Sequence, residues 1–184
     1  INADSPPDDA LALTVLAAVL DGYAGARLDK AMTQGDNATA NSAGAYNGLM
    51  GRGPQLFFLD GAPVKDKTVA QVEAALREQI ALIAKNGVSE AELNRVKTQW
   101  VASEVYKLDS VMNQARELGS YWVKGLAVDA GAHLIAKLRQ VTSAQVQAVA
   151  NTYFGDDQLT VGVLVPQPID KTRKPRAASA GARH

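Results

Sequence analysis

Few residues in this chain could carry hydrolytic chemistry, and their spacing is wrong for it. The sequence holds two histidines and no cysteine. A peptidase-type zinc site needs two histidines one helical turn apart and a third ligand. Here His133 stands alone in A-G-A-H-L-I, and His184 is the last residue. The inverted zinc-peptidase motif H-x-x-E-H does not occur. Serine hydrolysis needs a serine on a sharp strand-to-helix turn beside a histidine base, a setting that neither Ser42 nor Ser103 has. Gly51-Arg52-Gly53 is too short for a phosphate-binding loop. The carboxylate pairs Asp8-Asp9 and Asp156-Asp157 fall at element ends, where caps and turns explain them. Trp100 and Trp122 lie on expected helix faces and read as core or interface anchors. No catalytic, cofactor-binding or metal-binding residue is assigned to this chain.

The totals exclude other classes. The formal charge is zero, which removes the global electrostatic case for nucleic acid or anionic lipid. No apolar run reaches the ~20 residues of a membrane-spanning helix. Lack of cysteine removes disulfides and thiolate metal sites. A chain of 184 residues fits one α+β unit. It starts Ile-Asn-Ala-Asp without an initiator Met, and is read as a piece of a longer protein.

Elements must position whatever function exists. Ser5-Pro6-Pro7-Asp8 resembles a helix entry. The helix that follows, through Leu11, Leu13, Val15, Leu16, Val19 and Leu20, is apolar on most sides and stops at Gly22. A short second helix is expected over Ala26–Met32, ended by Gly35-Asp36-Asn37. Ala38–Leu49 reads as a weak strand and Gln55–Leu59 as a better one. The second is bounded by Gly53-Pro54 and Asp60-Gly61, and the two pair antiparallel. Thr68 with Gln71, and Ser89 with Glu92, form capping boxes that open two long helices. The first is marked by Val69, Val72, Leu76, Ile80 and Ile83. The second carries Leu93, Val96 and Trp100, drifting to Val101, Val105 and Leu108. Asp109 or Ser110 caps a helix through Trp122, and another covers about Ala130–Leu138. Thr142 with Gln145 opens a last one to Phe154. Gln158–Val165 alternates Leu159, Val161, Val163 and Val165 and is predicted to close the fold as a strand. The fold class is α+β, an antiparallel sheet with helices on one face. Residues 1–165 form the domain. Residues 166–184, with five Lys/Arg residues among Pro, Ala, Ser and Gly, read as a flexible basic tail.

Three stretches, in order, resemble the insulinase/pitrilysin family of zinc metallopeptidases. D-A-L-A-L-T-V-L-A-A-V-L-D-G-Y-A-G-A-R-L is similar to the family's opening helix and glycine-rich bend, with Ala26 replacing a serine and Arg27 and Leu28 kept. K-N-G-V-S-E-A-E-L-N-R-V-K resembles its central helix start. V-T-S-A-Q-V-Q-A-V-A-N-T-Y-F with D-D-Q-L-T-V-G-V-L-V-P resembles its domain ending.

The resemblance implies the non-catalytic C-terminal half of a zinc endopeptidase. Zinc and H-x-x-E-H are then expected in an upstream catalytic domain. A second family subunit would supply an arginine and a tyrosine seven residues later, in a stretch like L-R-x-x-x-G-L-x-Y, to hold substrate and stabilise the oxyanion. That pattern falls on Thr33 and Ala40 in this chain, and neither can do the work. Arg27 matches a different, structural arginine of the bend. The implied jobs are to wall the substrate chamber, contact peptide and dock a partner unit. The alternative is a scaffold without hydrolysis, as in respiratory-complex core subunits of the same family. An exported location is the expectation from the bacterial members it resembles.

Overall fold

The structure is a computed structural model that describes residues 8–49 and 53–167. Helix α1 (Asp9–Asp21) buries Leu11, Leu13, Val15, Leu16, Val19 and Leu20. The Ser5 cap expected for it lies outside the described residues. Asp8 stands at the N-cap, and its side chain makes no capping bond. The short second helix is present, one residue later than expected and mostly π-helical. It runs from Arg27 into a π-helical turn, Asp29–Thr33, that buries Met32. Gly35, at φ 80°, releases the chain from it.

Strands β1 (Ala40–Asn47) and β2 (Phe57–Pro63) pair antiparallel, with Tyr46 opposite Phe58 and Ala43 opposite Gly61. Strand β2 runs through Asp60-Gly61, where the sequence predicts its end. A glycine is needed there for closeness, because a Cβ on Gly61 would lie 2.6 Å from Val72 Cγ1 of the helix above. Ala43, Ala45, Phe57 and Leu59 face the core, and Tyr46 and Phe58 point away from it. Phe57 meets Phe154 edge to face, with centroids 5.0 Å apart.

Helices α2 (Val69–Asn86), α3 (Glu90–Lys107) and α6 (Ser143–Thr152) all start at the expected capping boxes, with both reciprocal bonds formed. Ser110, rather than Asp109, caps α4 (Val111–Val123), and α5 spans Ala130–Gln140. Helix α1 packs on β1 and α6, and α2 packs on β2 and α6. The core therefore lies between a two-stranded ribbon and helices gathered on one of its faces, the α+β class expected.

The closing strand over Gln158–Val165 is not formed. Asp156–Gln158 is a single 3-10 turn, and the backbone then continues without regular structure through residue 167. Leu159 is extended (φ −95°, ψ 135°), yet Leu159, Val161, Val163 and Val165 are all exposed. The alternation is real, but a strand also needs a neighbour for its backbone N–H and C=O groups. The described residues offer none.

Candidate functional site

The bend between α1 and β1 is the part of the chain where the family pattern would place reactive groups. It encloses an open depression of about 470 Å³, lined by Asp21, Tyr23, Asp29, Thr33, Asn41 and Ser42 among others. Its two carboxylates and the Thr33 hydroxyl are held by the fold. Asp29 Oδ2 accepts from the Gly25 N–H (2.7 Å) and from Gln34 Nε2 (2.9 Å). The Thr33 hydroxyl sits on the Asp29 carbonyl (2.9 Å) and on its carboxylate. These contacts, the Thr33 hydroxyl foremost, hold the Asp29 carboxyl below its usual range. Asp21 Oδ2 accepts from the Ala45 N–H at 3.3 Å. Burial, helped by the nearby charges of Asp60 and Asp29, pushes the Asp21 carboxyl up.

The electrostatic sign follows. None of the described side chains lining the hollow is cationic. A developing oxyanion placed there would face two carboxylates, the reverse of what acyl-transfer catalysis requires. Thr33 stands on the wall and spends its hydroxyl on Asp29. Ala40 is buried at the start of β1. The structure thus puts the two positions laid on the arginine and tyrosine beside the same bend, with side chains unable to replace either.

Arg27 does structural work in the bend. Its Nε and Nη2 each donate to Glu92 at 2.9 Å, a two-pronged ion pair, and Nη2 also reaches the Gly87 carbonyl at 3.4 Å. Glu92 is the same residue that closes the α3 capping box on Ser89. The Arg27 guanidinium lowers the Glu92 carboxyl to about 2 against the opposing effect of burial. Arg95 lies over the Tyr23 ring, 5.5 Å from its centroid. The start of α3 is therefore clamped to the bend twice.

His133 lies on α5, 75% exposed, with Asp129 3.7 Å away. Among the described residues, no group of three or more His, Asp or Glu side chains is placed to hold a metal ion, so these residues do not fit a zinc centre. Sequence reasoning missed Asn47, a buried amide that donates to Thr14 Oγ1 (2.8 Å) and the Ala10 carbonyl (3.1 Å) and so ties β1 to α1. It also missed Asp21 and Asp29. A lone Asn in a weak strand and two Asp residues at helix ends carry no periodic signal.

Known proteins place this geometry. The fold is similar to the inactive peptidase domain of a candidate zinc protease from Bordetella parapertussis (TM-score 0.77, 17% identity, 96% of this chain and 89% of that one). It is also similar to a candidate zinc protease from Bordetella pertussis (0.73, 16%, 86% and 86%). A protease from Helicobacter pylori matches at TM-score 0.70 and 21% identity over 82% of this chain, which spans about a third (36%) of that protein's chain. No curated protein sequence matches. Residues 2–100, more than half of the chain, fit the model of the Peptidase M16 inactive domain. The chain therefore belongs to the Peptidase M16 inactive domain family, the insulinase-type zinc protease lineage that its bend and central capping box resemble.

Proposed function

We propose that this chain is the non-catalytic half of a zinc metalloendopeptidase, forming one wall of its substrate chamber and docking a partner unit. The match of residues 2–100 to the inactive-domain family carries the reading. The acid-lined bend supports it, since the arginine/tyrosine pattern implied by the resemblance falls on Thr33 and Ala40, which can supply neither group. Hydrolysis would then belong to an upstream domain bearing H-x-x-E-H, whose side chains would hold a zinc ion able to supply an activated water, with the motif glutamate as its general base. The arginine/tyrosine pair comes from a second family subunit. Peptide contact by strand addition along β1 is the weaker part of the reading, because the small side chains of β1 are accounted for by packing. Gly44 closely faces the Asp60 carboxylate, and Ala43 and Ala45 lie against the core.

Peptide-cleavage assays with zinc test it on three samples: this chain alone, the protease with its upstream domain, and that protease with its neighbouring subunit. Cleavage is expected only when the upstream domain is present, strongest with the subunit added. Cleavage by this chain alone would overturn the assignment. No cleavage in any combination would establish the scaffold alternative.

A further inference from the structure

Helix α4 is mounted with its apolar side outward. Val111, Ala115, Leu118 and Trp122 recur at i, i+4, i+7 and i+11 and form one stripe. All four are exposed, Trp122 at 84%, and Met112 and Val123 beside them are exposed too. The less exposed positions are Glu117, Ser120, Tyr121 and Lys124. Tyr121 turns inward and donates its hydroxyl to Glu117. The helix makes little contact with the other elements and leaves this apolar stripe in water, where burial of apolar surface would otherwise be favoured. The last turn of α3 continues the exposure through Val105, Tyr106 and Leu108.

We infer that the outward stripe of α4 is a docking surface, and that its occupant is an apolar face of the second unit of the same protease polypeptide. This rests on the functional reading above. Two observations select that occupant. Within the Helicobacter pylori protease, a domain of this fold makes up about a third of the chain, so a covalently attached neighbour is at hand at high effective concentration. The charges of α4 are one arginine, Arg116, and one glutamate, Glu117. That balance argues against an anionic membrane, which selects helices with basic polar faces. It suits a neutral protein face anchored by a tryptophan.

Acrylamide quenching of Trp122 tests the inference, in a Trp100→Phe background so that one indole reports. The 184-residue chain should show a freely quenched indole. The protease polypeptide carrying both units should show quenching several-fold weaker. Trp122→Glu should leave the Tm of the 184-residue chain unchanged and lower that of the longer protein. Equal quenching in both proteins would overturn the inference. So would protection that appears in the 184-residue chain as a dimer by sedimentation, or only on adding anionic lipid vesicles. The readout needs neither zinc nor turnover. A protease that cleaves peptide yet leaves Trp122 exposed sinks this inference alone, and one that covers Trp122 without cleaving sinks the functional reading alone.

Discussion

The body built from α1, the β1–β2 ribbon, α2 and α6 differs from the arm built from the end of α3 and α4 in one respect: who covers the apolar face. Both regions have capped helices and clear apolar stripes. In the body, Leu16, Leu20, Ile83 and Val146 are fully enclosed. In the arm, Val111, Leu118 and Trp122 face water. Periodicity shows that a face exists, and caps show where a helix begins. Neither names the neighbour. On the proposed reading, the face of α4 that reads like core is an interface.

The sharpest way to break this contrast is to cut the same kind of side chain in both regions and compare thermal unfolding. Leu20→Ala removes a side chain at 0% exposure, and should cost about 3–5 kcal/mol. A smaller loss would mean that α1 is less enclosed than it stands here.

Next is the clamp between the bend and α3. Glu92→Gln should cost about 2 kcal/mol, allowing for partial solvent screening of the ion pair. The sign with pH is fixed. The Glu92 carboxyl is lowered from 4.5 to about 2 in the folded protein, so its contribution is complete above about pH 4.5 and fades as pH falls toward 2. The Tm gap between wild type and variant should close over that window. A gap that persists unchanged at pH 2.5 would refute the ion-pair account.

Gly61→Ala tests the close approach of β2 to α2. The new methyl would press on Val72, and an overpacking cost of about 1–3 kcal/mol is expected. Pairing it with Val72→Ala should recover part of that loss relative to the sum of the single changes. The smallest effect belongs to the arm. Leu118→Ser, at an exposed position, should change the stability of the 184-residue chain by no more than about 0.5 kcal/mol. A larger loss would show that α4 already has a partner within this chain.

Much of the fold was legible because its signals are local. The boxes Thr68/Gln71, Ser89/Glu92 and Thr142/Gln145 each satisfy helix-end donors within four residues, so they act regardless of surroundings. Strand β1 was legible only as weak, and the extent of β2 was misjudged because Asp60-Gly61 reads as a turn while α2 requires a glycine there. The closing strand failed for the same reason that α4 misleads. Leu159, Val161, Val163 and Val165 encode an alternating face, but pairing is a property of two segments. At the bend, the sequence shows Thr33 and Ala40 at the positions on which the implied arginine/tyrosine pattern falls. The carboxylates of Asp21 and Asp29 that set its charge were not legible, because only the fold brings them to one hollow.

The hydroxyl of Tyr153 donates to Asp9 Oδ2 at 2.7 Å, and α1 packs along α6, so the beginning of the domain is sealed by its end. During synthesis at about 5–20 residues per second, α1 can meet β1 early but waits roughly 6–26 seconds for α6, which covers its other side. Through that interval a helix greasy on nearly every side stands open to chaperones and to aggregation. The order of synthesis thus leaves the α6-facing side of α1 the last part of this core to be closed.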